Sequence, residues 1–314
     1  ERLSNLYGYY FQDEIVESRV SIIDGDITED GLKEKLASSN FNTLINCAAC
    51  VKHYASDDIL EKINVQGVEN LIECAKAHKA KMIQISTTSV PGVHTDETYA
   101  SNLVMHENEL FVVDDMDNKY GISKYHAELR MFDAIEEGMA GKVIRVGNLM
   151  GRDSDGKFQI NSGTNAFLNA LRGFVTIGKC PISHATDPMS FSPIDLTARA
   201  IVLLSGTNDM FTAFNADNRF TFDEWQLIEA CNKCGLKITP VDDKEYYADY
   251  YRMLGDDTVN ARLSGLVTND RPDLHVVDVN NDFTANVLYR IGFSWPFMSI
   301  EYLMKAIKSL QSEN

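Results

Sequence analysis

Short apolar runs alternate with longer stretches whose apolar residues return every three or four positions through the first half of the chain. The runs Val20–Asp24, Thr43–Cys47, Lys81–Ser86 and Lys142–Val146 predict strands. Between them the periodic stretches predict a short helix over Glu29–Ser38 and long helices over Ser56–His78 and Lys119–Glu137. Strand and helix in turn is the order that builds a parallel sheet covered by helices, and strands buried on both faces read as unbroken apolar runs of this length.

From about Gly151 the rhythm loosens. Helices are predicted over Thr164–Leu171, Ile194–Leu204, Phe222–Cys234, Lys244–Leu254 and Ile300–Leu310, with only short strand candidates between them. The fold class is therefore α/β: a doubly wound parallel sheet over residues 1–150, with returning segments near 175–220, and a smaller, mainly helical substrate region over 151–314. The chain shows no internal repeat and no low-complexity tract.

A length of 314 residues suits one large or two unequal units. Hydrophobic residues make up 44% and charged residues 24%, enough apolar material for a core, which excludes disorder as the main description. With 46 acidic against 29 basic residues the net charge is −17, which repels phosphate backbones and anionic lipid surfaces. Neither nucleic acid nor a membrane is expected as a partner. No apolar run approaches the roughly eighteen residues of a membrane span, and Glu1-Arg2-Leu3-Ser4-Asn5 has no signal-peptide character, so a cytoplasmic location is expected.

The six cysteines agree with that compartment, since they fall in apolar or helical contexts. Cys47-Ala48-Ala49-Cys50 and Cys231-Asn232-Lys233-Cys234 have zinc-ligand spacing. The first pair closes a predicted strand and the second repeats one face of a predicted helix, so both read as core thiols and no metal is expected.

Candidate chemistry gathers at the carboxyl ends of the predicted strands, the edge where open parallel sheets bind ligands. Those ends read Asp24-Gly25-Asp26-Ile27, Asn46-Cys47-Ala48-Ala49, Ser86-Thr87-Thr88-Ser89 and Arg145-Val146-Gly147-Asn148. Small residues after Asn46 leave room for a flat cofactor against the backbone, while four successive hydroxyls also suit an ordinary turn. Tyr120 and Lys124 stand four apart near the start of a predicted helix and share a face, so the cation can stabilise a phenolate; an ordinary surface pair has the same spacing. Asn64 is a poor helix former among apolar neighbours, with Gly67 just beyond it, and reads either as a kink or as a polar strut bracing the next helix. Among the 19 glycines there is no G-x-G-x-x-G or G-x-x-G-x-x-G run, so either the fold binds no dinucleotide or its glycine-rich turn lies upstream of Glu1.

Seven ordered motifs, namely Asp26-Ile27, Asn46 to Ala49, Asn64 to Gly67, Ser86 to Val90, Tyr120 to Lys124, Arg145 to Asn148 and Ser192-Pro193-Ile194-Asp195, resemble the extended short-chain dehydrogenase/reductases. Within that group, Gly147 to Arg152, Asp155 to Asn161 and Asn165 to Leu168 resemble the terminal thioester reductase domains of nonribosomal peptide synthetases, to which carboxylic acid and fatty acyl reductases are related. The resemblance implies a Rossmann-like sheet, incomplete at its N-terminal end. The family's opening strand-turn-helix would precede Glu1, in an upstream stretch of roughly sixty or more residues. Leu3 to Phe11 resembles the helical insertion that follows that opening.

The activity so implied is NAD(P)H-dependent reductive release of a carrier-bound acyl or peptidyl thioester as an aldehyde, with further reduction to an alcohol left open. Tyr120 is implied as proton donor and Thr87 as the hydroxyl that holds the carbonyl oxygen, with Thr88 or Ser89 in reserve. Lys124 would hold the nicotinamide ribose and, with the oxidised ring, draw the phenol's pKa down toward working pH. Asp26, Ile27, Asn46, Ala48, Ala49, Lys124, Gly147 and Asn148 are implied as cofactor-binding and Asn64 as structural support. The cofactor is NADPH, with NADH the alternative, and the partner is a phosphopantetheinylated carrier domain in cis.

Nucleotide-sugar epimerases or dehydratases of the same extended group, and a non-catalytic dinucleotide sensor, are the competing readings. The segment 91–116, with His94, Asp96, Glu97 and His106, reads as a lid over the substrate or as a plain acidic loop. His53 and His126 receive no role, and Glu245 to Tyr251 reads as an aromatic packing face.

Overall fold

Adjacent residues on the central strands point into different cores, and that alternation divides the molecule. The computed structural model describes residues 2–11, 19–51, 56–91, 93–94, 102–110, 119–160, 165–184, 188–253 and 275–312. Strands β1 (Thr43–Asn46), β2 (Lys81–Thr87), β3 (Gly141–Val146) and β4 (Ala213–Ala216) form a four-stranded sheet in the order β1-β2-β3-β4. All three pairings are parallel, with Thr43 opposite Lys81, Met82 opposite Gly141 and Val143 opposite Ala213.

Met82 and Val143 face helices α3 (Gly67–His78) and α4 (Lys119–Glu136), packing with Val68, Leu71, Ala75, Ala127 and Met131. Their neighbours Ile83 and Ile144 face the other way, joining Phe214 and Ala216 of β4 against α6 (Ile194–Ser205), α9 (Asp282–Arg290) and Trp295. This is the period of two that a sheet covered on both faces requires. A third core joins α5 (Ala166–Ile177), α7 (Glu224–Lys233), α8 (Asp243–Met253) and α10 (Ile300–Ser312) through Leu171, Phe174, Leu227, Cys231, Tyr246, Tyr250 and Leu303. The predicted aromatic packing face is real at Tyr246 and Tyr250, which repeat every fourth residue into this core, while Tyr251 is exposed.

Three sequence expectations change. Val20–Asp24 is not a strand: residues 20–26 carry no ladder, and Val20, Ile22 and Ile23 are exposed. An apolar run becomes a strand only where a neighbour takes up its N–H and C=O groups, and among the described residues β1 has only β2 beside it. The helix expected over Glu29–Ser38 shrinks to α2 (Leu32–Leu36), with Leu32 its buried anchor. The helix expected from Ser56 is continuous but changes pitch: Asp57–Leu60 is α-helical, Glu61–Gln66 is a π turn, and α3 follows. At Gly67 a Cβ would collide with the Ile27 side chain, so glycine lets that residue close over the helix.

The remaining predicted helices form with shifted ends. Asn165 caps α5 by accepting from Leu168 N at 3.0 Å, and the helix ends at Gly178 with φ +72°, a conformation glycine adopts without strain. The predicted N-terminal helix, α1 (Arg2–Phe11), is tied down by Tyr10, whose hydroxyl donates to the Phe158 carbonyl at 3.1 Å.

Candidate active site

Tyr120 is the second residue of α4 and Lys124 lies one turn further along, both facing the carboxyl end of β2. The Lys124 ammonium donates to the Ile85 carbonyl at 2.8 Å, and the Tyr120 hydroxyl hydrogen-bonds the Thr87 side chain. Thr87 Oγ1 in turn accepts from Ser89 N at 3.1 Å, which leaves its own proton to point away from the turn. Three residues from separate motifs thus meet at one strand end.

Burial sets the electrostatics of the chain without cofactor. The Tyr120 phenol is pushed above its ordinary value, chiefly by burial, with Thr87 lowering it and Cys50 raising it. Lys124 is 3% exposed and drops from 10.5 to about 8, because burial disfavours the ammonium more than Glu128 and Cys47 favour it. Without a cofactor, burial outweighs any lowering of the phenol by Lys124, whose own ammonium is desolvated and bonded to a carbonyl.

Polar side chains behind the site fix the strand ends. Asn46 Nδ2 donates to Gln84 Oε1 at 2.9 Å while its Oδ1 accepts from Ala48 N at 3.0 Å. Gln84 Nε2 reaches the same Ile85 carbonyl at 2.9 Å, so that oxygen takes two donors. Asn64, buried in the π turn, clamps Cys50 from both sides, its Oδ1 accepting from Cys50 N at 2.8 Å and its Nδ2 donating to Cys50 O at 3.0 Å. Its Nδ2 also donates to Ser123 Oγ at 2.8 Å, and Ser123 donates to the Tyr120 carbonyl at 2.8 Å. The strut reading of Asn64 rather than the simple kink describes this geometry. The added turn residue of a π segment is what swings such a side chain out of helical register.

At the end of β3 the picture divides. Arg145 points no guanidinium into the crevice: it is fully buried, with Nη2 and Nε on the equally buried Glu128 of α4 at 2.8 to 3.1 Å, Nη2 on Glu109 O and Nη1 on Asn215 Oδ1. Gly147 and Asn148 do reach the strand-end edge, where the Asn148 carbonyl accepts from Ser192 N at 2.8 Å. A Cβ at Gly147 would fall inside the Asp217 carboxylate, so only glycine fits. Asp26 lies on an exposed turn, its carboxylate accepting from Thr28 N at 2.8 Å, and the half-buried Ile27 accepts at its carbonyl from Asn70 Nδ2 at 2.8 Å.

The residues beyond β1 and β3 suit a flat ring. Ala48 and Asn148 are exposed and Ala49 and Gly147 half-buried, so small side chains leave the main chain approachable there. Lys124 keeps two further protons beyond the one given to Ile85. These features fit the nicotinamide half of a dinucleotide.

Sequence reasoning missed Gln84, Ser123, Glu128, Asp217 and the role of Asp195, which accepts from Asp153 N and Ser154 N at 2.9 and 3.2 Å and pins the loop after Gly151. Asp195 had a signal, since it stands in the Ser192-Pro193-Ile194-Asp195 motif; the others carry none without contacts. His53, Asp96 and Glu97, and most of the expected lid, lie outside the described residues. Its described parts pair Val93–His94 with His275–Val276 and Val104–Met105 with Asp278–Val279.

Comparison with known proteins points in one direction. The family model of NAD-binding domains described as male sterility protein matches residues 1–201. The L-2-aminoadipate reductase large subunit of Eremothecium gossypii is 28% identical over 249 residues, 73% of this chain and 17% of that protein. A linear gramicidin synthase polypeptide of Brevibacillus parabrevis is 24% identical over 315 residues, 95% of this chain and 6% of its own length. The chain therefore spans less than a quarter of either relative. A thiolation-reductase di-domain from an archaeal non-ribosomal peptide synthetase superposes with a TM-score of 0.86 at 33% identity, covering 99% of this chain and 66% of that one. The terminal R domain of the myxalamid pathway superposes at 0.84 with 18% identity, covering 98% and 79%, and shares the fold.

Proposed function

Because the chain belongs to the family of NAD-binding domains described as male sterility protein, we propose that it reduces an acyl or peptidyl thioester with NADPH, NADH being the alternative donor, and releases an aldehyde. The observation that carries this reading is the meeting of Thr87, Tyr120 and Lys124 at the end of β2, in a chain 33% identical to a thiolation-reductase di-domain. Asn46, Ala48, Ala49, Lys124, Gly147 and Asn148 would hold the nicotinamide end of the cofactor, with Asp26 and Ile27 further along it.

A bound reduced nicotinamide supplies the hydride. The Thr87 hydroxyl, its oxygen already accepting from Ser89 N, donates to the thioester carbonyl oxygen and steadies the charge that develops there. Tyr120 then protonates that oxygen, a task for which a phenol held protonated by burial is suited. Loss of the hemithioacetal proton and cleavage of its C–S bond release the aldehyde and a thiol. Lys124 orients the ribose and offsets the charge left on the phenolate, and Asn64 holds the first turn of α4 in place through Ser123.

The partner in this reading is a phosphopantetheinylated carrier domain in cis, and the location is the cytoplasm; no helix among the described residues is long and apolar enough to cross a membrane. Residues 1–150, with returning segments near 175–220, would form the cofactor unit and 151–314 the mainly helical substrate unit, a division supported by the separate core of α5, α7, α8 and α10. The test mixes the protein with an acyl-pantetheine thioester and either reduced nicotinamide, following cofactor oxidation and trapped aldehyde. Thioester-dependent oxidation with aldehyde in equal amount is expected. Oxidation indifferent to the thioester would overturn the reading.

A further inference from the structure

β2 runs on past the end of β1, and that leaves one carbonyl of the sheet without its expected partner. Lys81 N donates to Asn42 O, on the β1 side, while Met82 N and Thr88 N donate to Ala140 O and Val146 O, on the β3 side. Successive residues of a parallel strand turn their main-chain groups to alternate neighbours, so Ile85 faces β1. The pairing runs from Thr43 with Lys81 to Asn46 with Gln84, which makes Ala48 N the next donor in line for the Ile85 carbonyl. Ala48 N goes instead to Asn46 Oδ1 at 3.0 Å, and among the described residues no main-chain N–H takes its place at Ile85.

Side chains complete the detour. Asn46 Nδ2 donates to Gln84 Oε1 at 2.9 Å, and Gln84 Nε2 donates to Ile85 O at 2.9 Å, beside the Lys124 ammonium at 2.8 Å. The two ends of this line fix the orientation of both amides, because the Ala48 N–H can only donate and the Ile85 carbonyl can only accept. Gln84 is wholly buried and Asn46 is 3% exposed. A strand running on through Ala48 would satisfy the same main-chain groups with no side chain at all, so for the fold alone two buried amides are a costly substitute. What the detour changes is the Ile85 carbonyl: it is cleared of its ladder donor, held by one amide proton, and open to the ammonium on its other lone pair.

Resting on the thioester-reductase reading above, we propose that Gln84 is a positioning residue for Lys124. With Asn46 it keeps the Ile85 carbonyl out of the sheet's ladder and steadies it as the seat on which the ammonium rests one proton, so that the other two remain for the cofactor's ribose. The same line begins at Ala48 N, on the turn read above as lying against the nicotinamide. One chain of side-chain bonds therefore sets both the cofactor's bed and the lysine that grips it.

The experiment is a double-variant cycle of Gln84→Met, which keeps the length of the side chain and removes its donor, with Lys124→Met. It is read as the Kd of NADPH by fluorescence titration and as steady-state constants. Gln84→Met alone is expected to weaken NADPH by roughly three- to tenfold, raising the KM of the cofactor and not that of the thioester. In the Lys124→Met background the same change is expected to leave NADPH affinity unmoved. An equal loss in both backgrounds, or a Gln84→Met that lowers only kcat with NADPH affinity kept, makes Gln84 a residue of the fold alone and overturns the proposal. If Gln84→Met does not fold, Gln84→Glu, which keeps the acceptor for Asn46 and loses the donor for Ile85, enters the same cycle. A wild type that binds NADPH and reduces no thioester fails the reaction assignment and leaves the affinity cycle to decide the role of Gln84. If NADPH does not bind at all, the stability losses of the variants decide, since partners on one carbonyl are expected not to add, and losses that simply sum overturn the proposal.

Discussion

Lys124 reaches across from α4 to the main-chain carbonyl of Ile85 at 2.8 Å, and Gln84 donates to the same oxygen at 2.9 Å. The helix carrying the phenol is thereby tied to the strand carrying the hydroxyl, and a shift of either would break a buried bond to charge. The same contact explains the titration of the site. Lys124 is stripped of water and offered one carbonyl, so its ammonium is weakened while Tyr120 stays a protonated donor.

Tyr120→Phe removes the proton donor and keeps the ring. Turnover should fall by roughly a hundredfold or more, the scale of a lost general acid, with cofactor affinity nearly unchanged. Steady-state kinetics beside a fluorescence titration of bound NADPH would show it, and undiminished turnover would remove Tyr120 from its role.

Because Lys124 titrates at about 8 in the folded chain and near 10.5 when exposed, activity that needs its ammonium should decline as pH rises past about 8. Stability moves the opposite way. Between those values the unfolded chain holds a proton that the folded chain has lost, so wild type should gain stability relative to Lys124→Met as pH climbs, by about 3 kcal/mol at most. Denaturant melts of both proteins between pH 7 and 10 measure the difference, and a gap that stays flat would contradict the buried-ammonium picture.

Asn64→Ala strips both bonds from Cys50 and one from Ser123 inside a 1%-exposed site. A loss of about 2 to 4 kcal/mol is expected, since the backbone groups of Cys50 lose their partners. Turnover of the folded fraction should drop as well, because the first turn of α4 loosens. Full activity in a destabilised Asn64→Ala would mean that the strut serves the fold alone.

Glu128→Ala leaves the Arg145 guanidinium buried and without its carboxylate. Breaking a fully buried pair costs about 3 to 5 kcal/mol, whereas replacing both partners by apolar residues, as in Glu128→Leu with Arg145→Met, should recover much of it. Chemical denaturation of the two variants makes the comparison, and a double variant no better than the single one would show that the other Arg145 contacts dominate.

Hydrophobic patterning alone determined the alternating elements and the expectation of a parallel sheet, because burial on two faces leaves unbroken apolar runs such as Met82-Ile83 and Val143-Ile144, while one-sided burial writes a helical period into the crossovers. Position and spacing drew attention to Ser86–Ser89, to Tyr120 with Lys124 and to Asn64, whereas the choice of Thr87 and the roles of all four came from the resemblance to the extended short-chain dehydrogenase/reductases. Patterning misjudged Val20–Asp24 because an apolar run shows a wish to be buried and says nothing of whether a neighbouring strand is there to pair with it.

Only the tertiary structure decided what those residues do to one another. The pKa of Tyr120 follows from desolvation, and the duty of Arg145 follows from a glutamate seventeen residues earlier on another element. Asp217 has no local signal at all; its place against Gly147 and Ser192 arises when β4 docks beside β3. Sequence spacing encodes periodicity along one element, whereas charge, room and solvation at a site depend on groups brought together from distant parts of the chain.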